Sequence, residues 1–405
     1  MTDLVPGLAT GTAALLGAAR SLQPRTVALR RALHRAPEIG LATPATRDAV
    51  LAELADLPLR VHQGRDLGSV VAVLDGGRPG KTVLLRADMD ALPLNEPDDA
   101  PHRSQTPGVM HACGHDLHVA MLCSAARLLC QRRDQVPGRV IFAFQPGEEG
   151  FHGARHMIDE GLLDRHGPGG RPDVAFALHV SATMPSGELH TRPGPIMAAA
   201  DVLRVTVTGR GGHASAPHHA LDPVPAAAAM VGALQTMLTR RVDTHDPTVL
   251  TVSRITAGTT DNVIPETAEL EGTLRTMSEA VRRAVHTEIE RVCTHTALAH
   301  GCTATVRIES GYPVTINDPA AAGRLTDLGR RLLGDARSSR MAAPIMGAED
   351  FAYVLARVPG ALGFLGACPP GVSPAQAAPN HSNRVRFDEG VLPAGAALYA
   401  ALALL

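Results

Sequence analysis

A chain of 405 residues is longer than one hydrophobic core usually serves, so two domains, at most three, are expected. Hydrophobic residues at 45% and a net charge of −2 describe an ordinary globular enzyme or binding protein. With no basic run, aromatic residues at only 2% and no Trp, the chain lacks the base-stacking platforms and charged tracks of nucleic-acid binders.

Near the N-terminus the apolar stretch 8–19 is preceded by an acid, Asp3, and by no basic segment, which argues against a signal peptide. No apolar run reaches the roughly 18 residues that a membrane-spanning helix needs. Short apolar runs then alternate with helical patterns. Residues 69–74, 82–87, 139–144 and 174–180 read as strands, and 46–55, 119–132 and 153–163 as helices. This alternation predicts a doubly wound α/β sheet, whose ligands bind beyond the carboxyl ends of the strands. The middle of the chain has another order. Residues 201–208 alternate as a half-buried strand does, 222–240 form an Ala-rich helix, and 248–255 and 268–275 are strands. A helix over 278–300 puts Val281, Val285, Ile289 and Val292 on one face, and 303–309 is a strand. The order β-α-β-β-α-β is the ferredoxin-like split unit. Pro and Gly at 193–195 and 311–313 bracket it. The expected architecture is therefore a catalytic domain of 1–195 and 312–405 with an α+β domain inserted at 196–311. An Ala/Leu-rich helix, 390–405, ends the chain. Six cysteines (Cys113, Cys123, Cys130, Cys293, Cys302, Cys368) form neither a disulfide framework nor a C-x-x-C pair, which fits a reducing cytoplasm.

Four places are rich in metal-ligand types and follow strand-like runs or lie in Gly/Pro-rich loops. They are Met110-His-Ala-Cys-Gly-His-Asp116, Gln145-Pro-Gly-Glu-Glu-Gly150, His179, and Asn380-His-Ser382. A thiolate, imidazoles and a carboxylate converging on one crevice make a site for zinc or a neighbouring transition metal. Taken singly, His179 or His381 is more often an inert loop residue, and a Glu pair more often solvated surface; the coincidence of four such places shifts the balance. Glu148-Glu149 also follows an apolar strand and a Pro-Gly turn, where α/β enzymes position catalytic groups. One carboxylate of such a pair can bind metal while the other takes a proton from water. Gly209-Arg-Gly-Gly-His-Ala214 formally fits a dinucleotide motif, but Pro217, Pro223 and Pro225 block the helix that must follow. A Cys113 nucleophile with a His base, giving a covalent acyl transferase, is the rival from another class. A metal-binding protein without catalysis is disfavoured by Glu148.

The chain is similar, almost end to end, to one family. The segments are Leu33-His34-x-x-Pro37-Glu38, Leu85-Arg-Ala-Asp-Met-Asp-Ala-Leu-Pro93, Met110–Asp116 with His118, Phe144-Gln-Pro-Gly-Glu-Glu149 and Leu178-His179. Gly212-His-Ala-x-x-Pro217, Asn262-Val-Ile-Pro265, Gly272-Thr-x-Arg275 and Met346-Gly-Ala-Glu-Asp-Phe351 complete them. On these the chain resembles the M20 metallopeptidase and aminoacylase family, in its branch of hippurate hydrolases, N-acyl-amino-acid amidohydrolases and plant auxin-conjugate hydrolases. Gly147 stands where Ala is commoner, and Ala348 where Ser is commoner. The resemblance implies two divalent metal ions (Zn, Mn, Co or Ni). Cys113 would bridge them, His115 and His179 would complete one, and Glu149 and His381 the other. Glu148 would be the general base, later passing its proton to the leaving amine. Asp88, Asp90, Asp116 and His118 would orient the ligands from behind, or else be strand-end and helix-cap residues.

The inserted domain resembles the family's lid and dimerisation domain, which implies a homodimer or higher homo-oligomer. Leu270, Gly272 and Leu274 face one side of strand 268–275, so Arg275 faces the other. The resemblance offers Arg275 and Asn262 as a clamp for a substrate carboxylate and His213 as donor to the oxyanion. A lid edge paired with its copy across a two-fold axis would carry His213 to the partner's metal centre. The expected reaction is hydrolysis of an N-acyl amino acid to a carboxylate and a free amino acid. A dipeptidase or carboxypeptidase at the same site is the alternative.

Overall fold

The computed structural model describes residues 8–165 and 167–404. Asp3, on which the reading of the N-terminus leans, and Leu405 lie outside the described residues. Three helices come first, α1 (Leu8–Ser21), α2 (Gln23–Arg35) and α3 (Pro44–Leu54). Pro in the first turn of α2 and α3 costs no hydrogen bond there. Strands β1 (Arg60–Gln63), β2 (Val70–Asp75) and β3 (Arg78–Asp88) follow. Then come α4 (His115–Cys130), β4 (Pro137–Gln145), α5 (Gly153–Asp159), β5 (Val174–Ser181) and β6 (Leu189–Thr191). Helix α4 is buried along nearly its whole length, as a sequence apolar on all faces requires. It begins at His115 rather than at 119, because its first turn carries the polar His115, Asp116 and His118. Gly114, at φ +90°, turns the chain into it, and a Cβ there would meet the Val180 side chain at 2.4 Å.

The middle segment supplies β7 (Gly194–Met197), β8 (Ala199–Thr208), β9 (Gly212–His213), α6 (Pro223–Arg241), β10 (Thr248–Ala257) and β11 (Val263–Ile264). It continues with β12 (Thr267–Thr276), α7 (Glu279–Ala299), β13 (Thr303–Ser310) and β14 (Thr315–Asn317). Four of these strands form an antiparallel sheet in the order β10-β12-β8-β13, the ferredoxin-like arrangement. Its inner face, including Leu203, Val205, Leu270 and Leu274, packs against Met230 and Leu234 of α6 and Ile289 and Val292 of α7. Asp222 and Ser278 cap the two helices by accepting the backbone N–H groups of Val224 and Val281.

The chain ends with α8 (Pro319–Leu333), β15 (Ser338–Arg340), α9 (Ala352–Leu355), β16 (Gly360–Gly366) and α10 (Leu392–Ala403). A mixed eight-stranded sheet runs β1-β2-β4-β3-β5-β16-β6-β15. Its centre, β4, β3, β5 and β16, is parallel. The carboxyl ends of these four strands, at Asp88, Gln145, Ser181 and Gly366, therefore lie along one edge. The chain divides into two compact units, Met1–Ile196 with Ile316–Ala343 and Tyr353–Leu405, and Met197–Thr315 with Pro344–Ala352. The last segment, which the expected insertion of 196–311 leaves out, is tied to the start of the second unit: Met197 bridges Ile345, and the Ala198 N–H donates to Gly347 O at 2.8 Å. Among the described residues no helix is long and apolar enough to cross a membrane.

One buried ion pair closes the second unit. Asp201, 2% exposed, accepts from Nε (2.9 Å) and Nη2 of Arg282, pairs with His286 Nε2 at 2.7 Å and accepts the Gly311 N–H at 3.3 Å. It thereby joins the start of β8 to the point where the chain leaves β13. Burial alone would raise the Asp201 pKa, but Arg282 and His286 outweigh it and hold the carboxyl below its ordinary range. The sign follows: the stabilisation is present above the unfolded carboxylate pKa and is lost as pH falls through the lower folded one. Removing the carboxylate strands a buried guanidinium, so Asp201→Ala should lose about 3–5 kcal/mol in urea unfolding at neutral pH. A loss under about 1 kcal/mol would show the pair to be dispensable.

Candidate metal centre

The carboxyl ends of β3, β4 and β5 bring together ligand-type side chains that are far apart in sequence. Two sets of donor atoms, each within 4.8 Å of one another, share Cys113: Cys113 with His115 and His179, and Cys113 with Glu149 and His381. Cys113 Sγ lies 3.4 Å from His179 Nε2 and 3.3 Å from His381 Nε2, and Glu149 Oε1 lies 3.2 Å from His381 Nε2. His381 holds its place with the left-handed φ of +69°, uncommon without glycine, and its N–H donates to Ala112 O.

The imidazoles divide by what their second nitrogen does. His115 Nδ1 donates to Asp90 O and His179 Nδ1 donates to Val180 O, both at 2.8 Å, so each turns the lone pair of Nε2 into the cluster. His118 differs. Its Nε2 accepts the Val180 N–H at 2.8 Å while Nδ1 donates to Asp88, which leaves it no lone pair for a ligand.

The remaining acids stand behind. Asp90 accepts the N–H of Glu148 (2.9 Å) with one oxygen and of Glu149 (3.0 Å) with the other, so it orients the Glu pair. Asp88 is paired with Arg86, whose Nε donates to Gln145. Asp116 pairs with His34 (2.8 Å) and Arg30 (2.9 Å), and His34 also reaches Glu96. Asn380 donates to Cys113 O (3.1 Å) and Val180 O (2.9 Å) and accepts the Ala182 N–H, so it clasps three loops. Arg30, Glu96 and the Asn380 amide carry no functional expectation from sequence. Only the adjacency of Asn380 to His381, and of His34 to a family motif, pointed near them.

Charge in the cluster is unbalanced. Burial pushes the Cys113 thiol up, and the Glu149 carboxylate pushes it further. Hydrogen bonds to Cys113 and Glu149 push His381 up to about 10. Burial, with His118 beside it, pushes His179 down to about 3. Burial would raise Asp88, but Arg86, His115 and His118 hold it well below the carboxylate range. His115 Nε2 is buried without a hydrogen-bond partner, and the buried Glu149 Oε1 is paired with His381 Nε2. Electron-pair donors gathered within 4.8 Å of one another, drawn from thiol, imidazole and carboxylate, fit divalent transition-metal ions.

The other expected site residues lie in the second unit. His213 pairs with Val263, and the Ala214 N–H donates to Asn262 O at 3.0 Å, so His213 and Asn262 are neighbours, both exposed. Arg275, half-buried on the face of β12 away from Leu274, pairs with Ala200 at the start of β8, whereas His213 follows the far end of that strand. Eight ladder positions, from Arg275 to Thr267, separate these ends, roughly 26 Å at strand rise. Arg275 and the neighbouring pair His213 and Asn262 thus stand toward opposite ends of one sheet.

The family model described as Peptidase family M20/M25/M40 matches residues 84–405. A thermostable carboxypeptidase of Saccharolobus solfataricus is 38% identical over 389 residues, 95% of this chain and 96% of its own. An IAA-amino acid hydrolase (ILR1-like 2) of Arabidopsis thaliana is 36% identical over 382 residues, 93% of this chain and 84% of its own. A solved Bacillus subtilis structure, described as a dinuclear metal binding peptidase from the M20 family, superposes with a TM-score of 0.81 at 30% identity, covering 95% of this chain and 98% of that one.

Ligands must shed their protons to bind metal. At pH 8 the metal-free site holds a proton on His381, whose pKa is about 10, and on the Cys113 thiol, whose pKa is raised. Adding Zn or Mn to chelator-treated protein in weak buffer should therefore release at least one proton per chain, read with an indicator dye. Cys113→Ser should reduce both the release and the bound metal. No proton release on stoichiometric metal uptake would exclude these side chains as ligands.

Proposed function

The chain belongs to peptidase family M20/M25/M40 and is a metal-dependent amidohydrolase, and on that premise we propose that it hydrolyses N-acyl amino acids to a carboxylic acid and a free amino acid at a centre of two divalent metal ions. The observation that carries this reading is the pair of donor sets sharing Cys113. Cys113, His115 and His179 would hold one ion, and Cys113, Glu149 and His381 the other. The ions, drawn from Zn, Mn, Co and Ni, supply Lewis acidity that acidifies water and polarises an amide carbonyl. Glu148, buried and fixed by Asp90 through its N–H, is left to take the proton of the attacking water and pass it to the departing amine. Asp88, Asp90, Asp116 and His118 orient these groups.

The second unit is the lid and dimerisation domain. His213 Nδ1 accepts from the Ser215 N–H and sits 2.8 Å from its hydroxyl, which leaves Nε2–H as the donor for an oxyanion. Its separation from Arg275 supports an active site completed across a homodimer, with His213 and Asn262 from one chain and Arg275 from the other holding the substrate carboxylate. Six free cysteines support a reducing, cytoplasmic setting. Likeness to the carboxypeptidase favours a second reading, peptide substrates at the same centre. Assaying the protein loaded with each metal in turn, against acetyl-, benzoyl- and long-acyl amino acids beside dipeptides, tests both; turnover of dipeptides alone would overturn the first.

The Glu pair separates binding from chemistry. Glu148→Gln should retain its metal and fold while kcat falls by about 10² to 10⁴-fold, and Glu149→Gln should lose metal. The opposite pattern would reverse the two assignments.

Arg275→Ala should raise KM for N-acyl amino acids by roughly 10- to 100-fold, the worth of a charged hydrogen bond. Hydrolysis of the corresponding amino-acid amides, which lack the carboxylate, should change little. Equal losses on both would make Arg275 structural.

A further inference from the structure

Six of the seven phenylalanines are buried, and the seventh, Phe151, is 43% exposed. It lies in the loop that carries Glu148 and Glu149. That loop is tight: the Gly150 N–H donates to Glu148 O at 2.8 Å and the Gly153 N–H to Gly147 O at 2.9 Å, with Gly147 and Gly150 both in the left-handed region. The Phe151 ring rests on Gly40, where a Cβ would stand only 3.2 Å from it, and the Leu41 side chain packs at Gly147. Ile39, 36% exposed, bridges Ala91, the residue after Asp90. Thus Leu41 and Phe151 make an apolar shelf over Gly40 and Gly147, and Ile39 precedes Gly40 and Leu41 on the same segment.

Chain geometry sets how far this shelf can be from the chemistry. Phe151 is two positions from Glu149 and three from Glu148, which limits the Cα distances to roughly 7 and 11 Å. A ring of that size exposes an area worth burying, and apolar surface left open beside polar catalytic groups is the usual character of a ligand wall. The segments 39–41 and 147–151 present no charged side chain apart from the Glu pair itself.

We propose that Phe151, with Ile39 and Leu41, receives the acyl group, so that the enzyme prefers N-acyl amino acids with an aromatic or branched apolar acyl group over acetyl or charged acyl groups. The proposal rests on the amidohydrolase reading above. A pocket discriminates apolar groups by roughly 10- to 200-fold per group. In the metal-loaded enzyme, Phe151→Ala should lower kcat/KM for benzoyl amino acids by about 10- to 100-fold and for acetyl amino acids by less than about 3-fold, with Phe151→Leu largely retaining the benzoyl activity. Circular dichroism and thermal melting of both variants establish that each is folded. Calorimetry of the product acids gives a second readout: benzoate should bind the native enzyme at least 10-fold more tightly than acetate, and Phe151→Ala should erase the difference. A native enzyme that prefers acetyl substrates, or a folded Phe151→Ala that loses both activities equally, would overturn the proposal. If no N-acyl amino acid is hydrolysed, the amidohydrolase reading fails, and the benzoate measurement alone then decides whether the shelf is an apolar binding wall.

Discussion

An imidazole has two nitrogens, and at the end of the large sheet His115, His118 and His179 have each given at least one of them to the fold. His115 and His179 give Nδ1 to backbone carbonyls and keep Nε2 free; His118 gives both nitrogens, one to Asp88 and one to the Val180 N–H. That difference separates the proposed ligands from the proposed support, although His115 and His118 stand one turn apart on the same helix. A buried lone pair without a donor is costly unless something fills the gap. A bound cation would fill that gap, and the carboxylates nearby would balance its charge.

The parallel strands make this convergence possible. Strand ends at Asp88, Gln145 and Ser181 lie side by side, so residues far apart in sequence become neighbours. Helix α4, covered on all sides, anchors the edge from below, and Asn380 ties in the last ligand-bearing loop from above by three hydrogen bonds. His381 takes an unfavourable backbone conformation to reach Cys113, the kind of local strain that surrounding structure must over-determine. Carboxylates at the rear carry the electrostatic load: Asp88 faces Arg86 and two imidazoles, and Asp116 faces Arg30 and His34.

Much of this was legible in sequence because its signals are local. Strand runs, the split β-α-β-β-α-β order and the ligand-rich loops each occupy a few consecutive residues, and the strands that were expected begin within two residues of their expected starts, except β3. Where the pattern was mixed, it misled. Helix α4 begins inside the ligand motif, since periodicity registers its apolar turns and not its polar first one. Strand β16, Gly-Ala-Leu-Gly-Phe-Leu-Gly, has too many glycines to read as a strand, yet it pairs with β5 across seven residues. The support of Asp116 by Arg30 and of Glu96 by His34 depends on contacts more than 60 residues apart, which no local pattern encodes.

The distance between Arg275 and Asn262 was invisible for a related reason. Sequence shows both near one strand, but only the ladder register shows that they occupy opposite ends of it. A rigid antiparallel sheet cannot fold back to bring its two ends to one small molecule. If one substrate touches both ends, two copies of the sheet must supply them, one from each chain. The buried Asp201–Arg282 pair lies at the Arg275 end of that sheet and fixes the start of β8 against the exit from β13.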